Sequence, residues 1–345
     1  MQRLITFSLC FFVVALFFYI LWVGKSLFIP FAVALAIGYI IISLVDSIQK
    51  FSFWGRHFPK PIAYVFALTF LGILFWIFLN MLIVNVATLI QSAPIYQKKF
   101  YELTQSIFEM LHIKEPPDLA RYFEGFDIVS WGSSILFMLT DFAGSAGLIL
   151  VYVIFILAEH VHFNTKVDAL FLEQKNRNTT RRLVDKVFSQ IQAYVRIKTS
   201  ISIMTSFLSY LILTLVGVDF AVFWAFLIFV LNFIPTIGSI VATIFPSVLT
   251  LLQFGSLLPF LFVTISLVLI QFFVGNFLEP RVMGRSFNLS GLVILLSLAL
   301  WGAIWGIIGM FLCVPIMVIA NIILANFPET RPIAVLLSEK GEIEF

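Results

Sequence analysis

The feature that most constrains this chain is a succession of long apolar runs separated by short polar interruptions. A helix that crosses the hydrocarbon core of a bilayer needs roughly 20 mainly apolar residues, and run after run reaches that length. Charged residues make up only 11% of the chain, against about a quarter in an ordinary soluble domain. The sequence therefore predicts an all-α, polytopic helical membrane protein and excludes a soluble globular enzyme.

The apolar runs predict about eight transmembrane segments in a single integral membrane domain over residues 1–345. The first run follows a single Arg3 and shows no small-residue cleavage site at its end, so it is interpreted as an uncleaved span. The eight predicted spans cover residues 4–23, 27–44, 62–90, 134–158, 199–216, 220–253, 257–277 and 289–327.

The charged residues indicate how the chain crosses the bilayer. Lys and Arg outnumber acidic residues in segments 46–60 and 159–198, whereas acidic residues outnumber basic ones in segment 91–134. Because cytoplasmic loops carry the excess of Lys and Arg, the first two segments are predicted inside and the third outside. Both termini are then cytoplasmic. The net charge of +3 reflects this topology, and no nucleic acid partner is predicted.

Two connectors carry helical patterns of their own. Segment 91–134 is predicted as a polar outer helical segment that shields the bundle, with substrate capture as the alternative. Segment 159–198 is predicted as a basic cytoplasmic amphipathic segment. Its apolar residues recur at helical spacing, so a helix is expected to lie on the inner membrane face against anionic lipid: Leu183, Val187, Ile191 and Tyr194.

Two late apolar stretches are too long to be straight spans. Residues 220–253 and 289–327 amount to about 34 and 39 residues, or roughly 50 and 58 Å of helix, against a hydrocarbon core of about 30 Å. Each holds glycine and proline near its middle, so both are predicted to be broken or re-entrant in the carboxy-terminal third. Such breaks favour a transporter binding site, with plain packing kinks as the alternative. The breaking residues are Asn232, Pro235, Gly238 and Pro246, then Gly302, Gly306, Gly309 and Pro315.

A few polar residues near the predicted spans are candidates for chemistry. Asn276, Glu279 and Arg281 lie at or beside the connector 279–285. Ionisable groups near the membrane commonly pair or serve ions, so Glu279 is predicted to bind a cation or proton, and Arg281 to pair with it or with an anion. An interfacial loop with a Glu–Arg pair is the alternative. Asp141 is either an interfacial carboxylate or a proton site.

Several classes of protein and site are excluded by pattern. The histidines form no HExxH motif, no nucleophile elbow is present, and no GxxxxGK[ST] loop exists for a nucleotide-driven pump. Cys10 and Cys313 are predicted to be packing residues, and neither a metal site nor any cofactor is expected. A passive channel remains an alternative within transport. A membrane scaffold that recruits partners through 91–134 or 159–198 is the alternative outside it.

Three motifs in the last third carry a family resemblance: Asn232-Phe-Ile-Pro-Thr-Ile-Gly238 followed by Pro246, Glu279-Pro-Arg-Val-Met-Gly284, and GAIWGIIGMFLCVP ending at Pro315. Together they resemble the AI-2E family of bacterial permease-like proteins. The resemblance implies an oligomeric secondary transporter of the bacterial inner membrane. Family members have been linked to export of autoinducer-2 and to sodium or lithium/proton antiport.

The sequence departs from the family pattern at two places, Ser239 and Ser290-Gly291, where relatives often carry proline. Its predicted partners are membrane lipid and either a small polar solute or a monovalent cation or proton, in a homo-oligomer. The predicted pathway residues are Asn232, Pro235, Gly238, Pro246, Asn276, Glu279, Arg281, Gly284, Gly306, Gly309, Pro315 and Asp141.

Overall fold

The computed structural model describes residues 2–50, 59–110, 128–170, 174–283 and 288–341, and every regular element in them is helical. In chain order these are α1 (Gln2–Val23), α2 (Lys25–Lys50), α3 (Lys60–Met110), α4 (Ile128–Leu170), α5 (Gln174–Val216), α6 (Ala221–Leu231), α7 (Ile237–Phe254), α8 (Leu257–Phe273), a π-helical turn (Val274–Leu278), α9 (Glu279–Met283), α10 (Gly291–Asn326) and α11 (Arg331–Leu337).

The prediction of a polytopic helical membrane protein is confirmed. Within the described ranges, six helices are long and apolar enough to cross a bilayer, and three shorter apolar helices accompany them. The six are Lys25–Gln49, Lys60–Lys99, Arg177–Val216, Ile237–Phe254, Leu257–Val282 and Gly291–Asn326; the shorter three are Phe11–Val23, Gly144–His160 and Ala221–Leu231.

Two helices run further than the sequence pattern predicted. The third span continues as α3 for 51 residues, with Pro94 inside the helix, so the first part of the outer segment belongs to that same helix. Residues 111–127 of that segment lie outside the described residues. The expected amphipathic helix before the fifth span is likewise part of α5, which runs unbroken for 43 residues. A change from polar to apolar side chains does not interrupt backbone hydrogen bonding, so it marks no helix end.

The chain divides into two compact units. Unit 1 comprises residues 1–68, 145–196 and 283–345, and unit 2 comprises residues 69–144 and 197–282. In unit 1, α1, α2 and α10 contact one another. The Trp305 indole N–H donates to the Leu21 carbonyl at 3.1 Å, and the Tyr39 hydroxyl donates to the Phe188 carbonyl at 2.6 Å.

The basic end of α5 packs against protein in unit 1. Arg181 bonds both carboxylate oxygens of Asp168 in α4 at 2.7 Å. Gln192 donates to the Ser43 hydroxyl in α2 at 2.9 Å. These contacts show that one side of the predicted membrane-surface segment faces α2 and α4.

Unit 2 has a core built from α3, the α5 end at Val216, and α6 to α8. Buried residues from each of these helices form one apolar cluster: Leu82, Val86, Tyr96, Leu213, Val218, Phe223, Trp224, Ile228, Ala242, Leu249, Val263 and Leu267. Close packing of this kind gives α6 and α7 a fixed position within the unit.

The broken stretch in unit 2 is an antiparallel helical hairpin. Trp224 in α6 stacks on Phe245 in α7 with ring centroids 6.3 Å apart, although the two residues would be about 30 Å apart in a straight helix. The backbone carbonyl of Leu231 also lies against Gly238. We call residues 221–254 the unit 2 hairpin and residues 232–236 its tip.

The broken stretch in unit 1 reverses in the same way at a single residue. Gly306 has φ 64° and ψ −143°, which is non-helical backbone inside α10. Beyond it Gly309 lies against the Trp301 carbonyl, and Gly302 lies against the Met310 side chain. Residues 291–326 therefore form a second hairpin, the unit 1 hairpin, and both predicted breaks are confirmed.

Candidate functional site

The tip of the unit 2 hairpin is held in a strained conformation. Thr236 has φ 60° and ψ −59°, and the Ile237 amide donates to the Pro235 carbonyl at 2.6 Å. These values describe a γ-turn of the rare, strained kind. Pro235 breaks the helix because proline has no N–H to donate. Strained backbone of this type is found disproportionately at functional sites.

Gly238 makes this tight reversal possible. A Cβ atom at this position would overlap the carbonyl oxygen of Leu231 and come within 3.3 Å of the Ile234 side chain. The close approach of the two helices therefore requires a residue without a side chain. The sequence predicted a break here, and the structure explains why glycine stands at this point.

The first residue of the tip is anchored to α5. Asn232 is buried, and its amide donates to the Ser202 hydroxyl at 3.2 Å. Lys198 lies one turn before Ser202 on the same face of α5 and is only 4% exposed. Its ammonium donates to Glu279 Oε1 at 2.5 Å. A single turn of α5 thus holds both the hairpin tip and the start of α9.

A π-helical turn brings Glu279 to that position. Residues Val274–Leu278 form the turn at the end of α8, and Glu279 follows directly as the first residue of α9. A π-helical turn inserts extra backbone into a helix and rotates the residues that follow it, and it occurs frequently at functional sites. The segment predicted as a polar connector is therefore helical as far as Met283, and residues 284–287 lie outside the described residues.

The Asn232–Ser202 contact lies deep within the unit. Ser202 is 15 residues before Gly217, which corresponds to roughly 22 Å along α5, and Lys198 is roughly 28 Å from the same end. The hydrocarbon core is about 30 Å thick. The α6 helix has 11 residues, or roughly 16 Å, and cannot cross that core alone.

Buried hydroxyl groups continue from this cluster along two helices. On α5 they lie at helical spacing on the face that carries Lys198, and α7 carries a similar row. Most donate to the carbonyl four residues earlier in their own helix, so each oxygen retains acceptor capacity. They are Ser202, Thr205 and Ser209 on α5, and Thr243, Ser247 and Thr250 on α7.

The two ends of the unit 2 hairpin meet. The Gln253 side chain donates to the Gly217 carbonyl at 2.9 Å and accepts from the Asp219 amide at 2.7 Å. Tyr96 donates to the Asp219 carboxylate at 2.9 Å, and Lys99 donates to the Gln253 carbonyl at 2.5 Å. The hairpin therefore begins and ends at the same end of unit 2.

The unit 1 hairpin has an apolar interior by comparison. The Ser290 amide, just before the hairpin, donates at 3.0 Å to the Leu337 carbonyl of α11, the short helix that follows the hairpin. Trp301 and Trp305 pack with ring centroids 5.0 Å apart beside the reversal. Gly306 and Gly309 thus shape the turn of this hairpin, and Pro315 lies inside the helix that follows the turn.

The other predicted pathway residues lie in different surroundings. Asn232, Pro235, Gly238 and Glu279 build or border the tip cluster. Asn276 and Arg281 are exposed, and the Asn276 amide donates to its own helix at the Phe272 carbonyl. Glu279 pairs with Lys198 of α5. Pro246 is buried inside α7 without breaking it, while the Asp141 side chain and Gly284 lie outside the described residues.

Sequence reasoning missed Lys198 and Ser202. Lys198 was counted among the charges of the basic connector, although it begins a row of polar residues spaced i, i+4, i+7 and i+11 along the fifth span. A polar face on a span is the signal that identifies such residues, because polar side chains within a bilayer usually face the protein interior.

Comparison with known proteins agrees with this architecture. The model of the AI-2E family transporter matches residues 11–329. The AI-2 transport protein TqsA of Escherichia coli is 31% identical over 321 residues, covering 92% of this chain and 90% of that protein. Candidate transport proteins of Borreliella burgdorferi and Haemophilus influenzae are each 29% identical, over 95% and 93% of this chain and 89% and 92% of their own lengths. The chain is therefore a membrane transporter that belongs to the AI-2E family.

Proposed function

We propose that this protein is a secondary transporter that exports a small polar solute across the bacterial inner membrane, with the tip of the unit 2 hairpin as its solute site. The observation that carries the proposal is the polar cluster at that tip, in which Asn232, Ser202 and Lys198 are buried and Lys198 pairs with the partly exposed Glu279. Autoinducer-2 is the first solute to test, because the similar protein TqsA is named for its transport.

The physical case rests on the cost of this cluster in a membrane protein. A charged side chain at the centre of a spanning helix costs roughly 2.5–3.5 kcal/mol on insertion scales, and less toward the edge of the hydrocarbon core, where Lys198 lies. Ionisable residues within spans commonly line solute or ion paths. The hairpin places the Asn232 side chain at a buried position, where it contacts Ser202. Broken helices are used in this way at the solute sites of other secondary transporters.

The same proposal includes a topology. The basic and acidic connectors put the Gly217 turn outside, so the unit 2 hairpin enters and leaves at the outer face. The unit 1 hairpin then enters and leaves at the cytoplasmic face, because its first residue comes after α8 and α9, which run from the outer face to the inner face in this topology. In this topology the six crossing helices are α1 to α5 and α8, and both termini are cytoplasmic. The two hairpins are re-entrant, although α7 and α10 are long enough to cross. We further propose a homo-oligomer, to be measured by native mass spectrometry in lipid nanodiscs.

The test is efflux from proteoliposomes loaded with autoinducer-2, with imposed proton or sodium gradients. Asn232→Ala and Glu279→Gln should each lower the initial rate at least tenfold, because each removes a group that holds the tip cluster. Glu329→Gln is the matched control, since Glu329 is an exposed carboxylate in unit 1. Its rate should equal that of the native protein.

Each other result is informative. Equal rates in all four proteins would remove the tip cluster from the solute path. If the native protein moves no autoinducer-2 under any gradient, that solute is wrong and other small polar solutes take its place in the assay.

A second candidate function is exchange of Na⁺ or Li⁺ for protons. The observation that favours it is the Lys198–Glu279 pair, because paired ionisable groups near the bilayer commonly mark ion paths. A pH-sensitive dye inside the same vesicles would register proton movement driven by a sodium gradient. A sodium-independent signal would contradict this candidate.

A further inference from the structure

We propose that Tyr96 and Lys99, where the apolar part of α3 ends, are positioning residues that latch the base of the unit 2 hairpin, and that release of this latch lets the hairpin move. The proposal deepens the proposed function, because it rests on that hairpin as the solute site and names what controls its movement. The latch is measured by thiol reactivity without any transport assay, so it can fail while solute export stands.

The first step in the argument is that α3 holds both arms of the hairpin at their base. The Tyr96 hydroxyl donates to the Asp219 carboxylate, just before α6, at 2.9 Å. The Lys99 ammonium donates to the Gln253 carbonyl, at the end of α7, at 2.5 Å. The Gln253 side chain also bonds the Gly217 carbonyl and the Asp219 amide. One turn of α3 therefore fastens the two arms, and Gln253 ties the arms to each other.

The second step concerns the groups that these bonds satisfy. The Gln253 carbonyl is among the last four of α7, which have no partner further along the helix. A cation at that end also complements the helix dipole. Asp219 accepts as a carboxylate, and hydrogen bonds to a charged group are roughly twice as strong as neutral ones. Asp219 is nevertheless exposed, so water can replace Tyr96 and the latch can release.

The third step is that the latched hairpin is strained where it begins. Phe220, the residue before α6, has φ 61° and ψ 30°, a left-handed conformation that is an outlier for a bulky residue. Strained backbone persists only where the surrounding contacts hold it. The preceding residue, Asp219, is held by Tyr96 and Gln253. Release of Asp219 lets Phe220 relax, which makes Phe220 the hinge.

The fourth step is that the latch acts at a distance from the solute site. Roughly 24 Å of helix separates Ile237, next to the tip, from Gln253 at the base. Tyr96 and Lys99 bond the base, so they do not reach a solute at the tip. Their effect on transport passes through the position of the hairpin.

The experiment measures how fast a cysteine beside the latch reacts with a soluble thiol reagent. In a protein without its two native cysteines, Val218→Cys replaces a residue that is 5% exposed. Tyr96→Phe removes the hydroxyl and keeps the ring, so it should raise the rate about tenfold, which corresponds to about 1.4 kcal/mol. Lys99→Met should raise it at least twofold. Tyr101→Phe is the matched control, because Tyr101 is exposed on the same helix, and it should leave the rate unchanged.

A second reporter separates release of the latch from general loosening. Ala93 is 1% exposed and lies one turn before Tyr96 on α3, so Tyr96→Phe should leave the rate of Ala93→Cys unchanged. A rise of equal size at both reporters would overturn the latch, as would an unchanged rate at Val218→Cys. If Tyr96→Phe does not fold, Lys99→Met decides by the same criteria.

Efflux kinetics test whether the latch limits movement. Tyr96→Phe should raise the maximal efflux rate at least threefold and leave the half-saturating solute concentration unchanged, because it frees the hairpin without touching the solute. A faster thiol reaction with an unchanged maximal rate would overturn the positioning role. If the native protein exports no solute, the proposed function fails, and the thiol rates still decide whether α3 latches the hairpin.

Discussion

At the scale of single residues, glycine at position 238 decides whether the unit 2 hairpin can close. Its absent Cβ leaves room for the Leu231 carbonyl, which belongs to rigid backbone and cannot turn aside as a flexible side chain would. Gly238→Ala should therefore lower the Tm by several degrees or prevent folding. Overpacking of this kind typically costs about 1–3 kcal/mol.

Gly72→Ala is the control for that substitution. Gly72 lies within helix α3 of the same unit, and an added Cβ there would meet no atom within 4 Å. Alanine also has the higher helix propensity, so the Tm should stay the same or rise slightly. Equal Tm values for the two variants, measured by fluorescence-detected unfolding in one detergent, would show that the hairpin relaxes around a methyl group.

Lys198 shows at the same scale why part of the site escaped sequence reasoning. The glutamate was identified from its position beside an apolar run, but its partner lies 81 positions away. Charge counting assigns a lysine at the edge of a span to the adjacent loop, because most such residues extend to the interface. Only the fold shows that this one faces Glu279.

At the scale of elements, the contact between the tip and α5 should set how freely the tip opens. Ser202→Ala removes the acceptor of the Asn232 amide, and interhelical hydrogen bonds in membrane proteins average about 0.6 kcal/mol. In a protein lacking its two native cysteines, Thr236→Cys places a thiol at the exposed tip. Its reaction rate with a soluble thiol reagent should then rise about threefold on adding Ser202→Ala.

Thr205→Ala is the matched control for this measurement. Thr205 is buried on the same face of α5, but its hydroxyl donates to the Ile201 carbonyl of its own helix. It should therefore leave the thiol rate unchanged. A rise of equal size with both alanine variants would mean that general loosening of α5, and not the Asn232 contact, controls the tip.

The positions of the helix breaks could be predicted from Pro235, Gly238 and Gly306, because proline and glycine lower the cost of leaving helical geometry. The direction of the chain after each break could not. It depends on the contacts of Leu231 with Gly238 and of Trp301 with Gly309, which form only once both helices are in place. The prediction divided α5 into two parts because its side chains change from polar to apolar along the chain. The helix itself is unbroken through that change.

At the scale of the whole molecule, the hairpins determine how many times the chain crosses the bilayer. Eight apolar segments suggest eight crossings, but a hairpin whose two ends meet leaves the bilayer on the side from which it entered. The contacts from Gln253 to Gly217 and Asp219 bring the two ends of the unit 2 hairpin together. In unit 1 the Ser290–Leu337 bond joins the start of the hairpin to α11, the short helix that follows it.

Single cysteines in the cysteine-free protein test this topology, with a membrane-impermeant maleimide applied to intact cells. Asp219→Cys and Ser256→Cys flank the unit 2 hairpin and are both exposed, so both should label from outside. Glu339→Cys, exposed beyond the unit 1 hairpin, should label only after the cells are opened. If residues 220–253 crossed the bilayer instead, Asp219→Cys and Ser256→Cys would label from opposite sides. Because both ends of a re-entrant hairpin face the same solution, labelling of both from outside would support a hairpin that enters and leaves at the outer face.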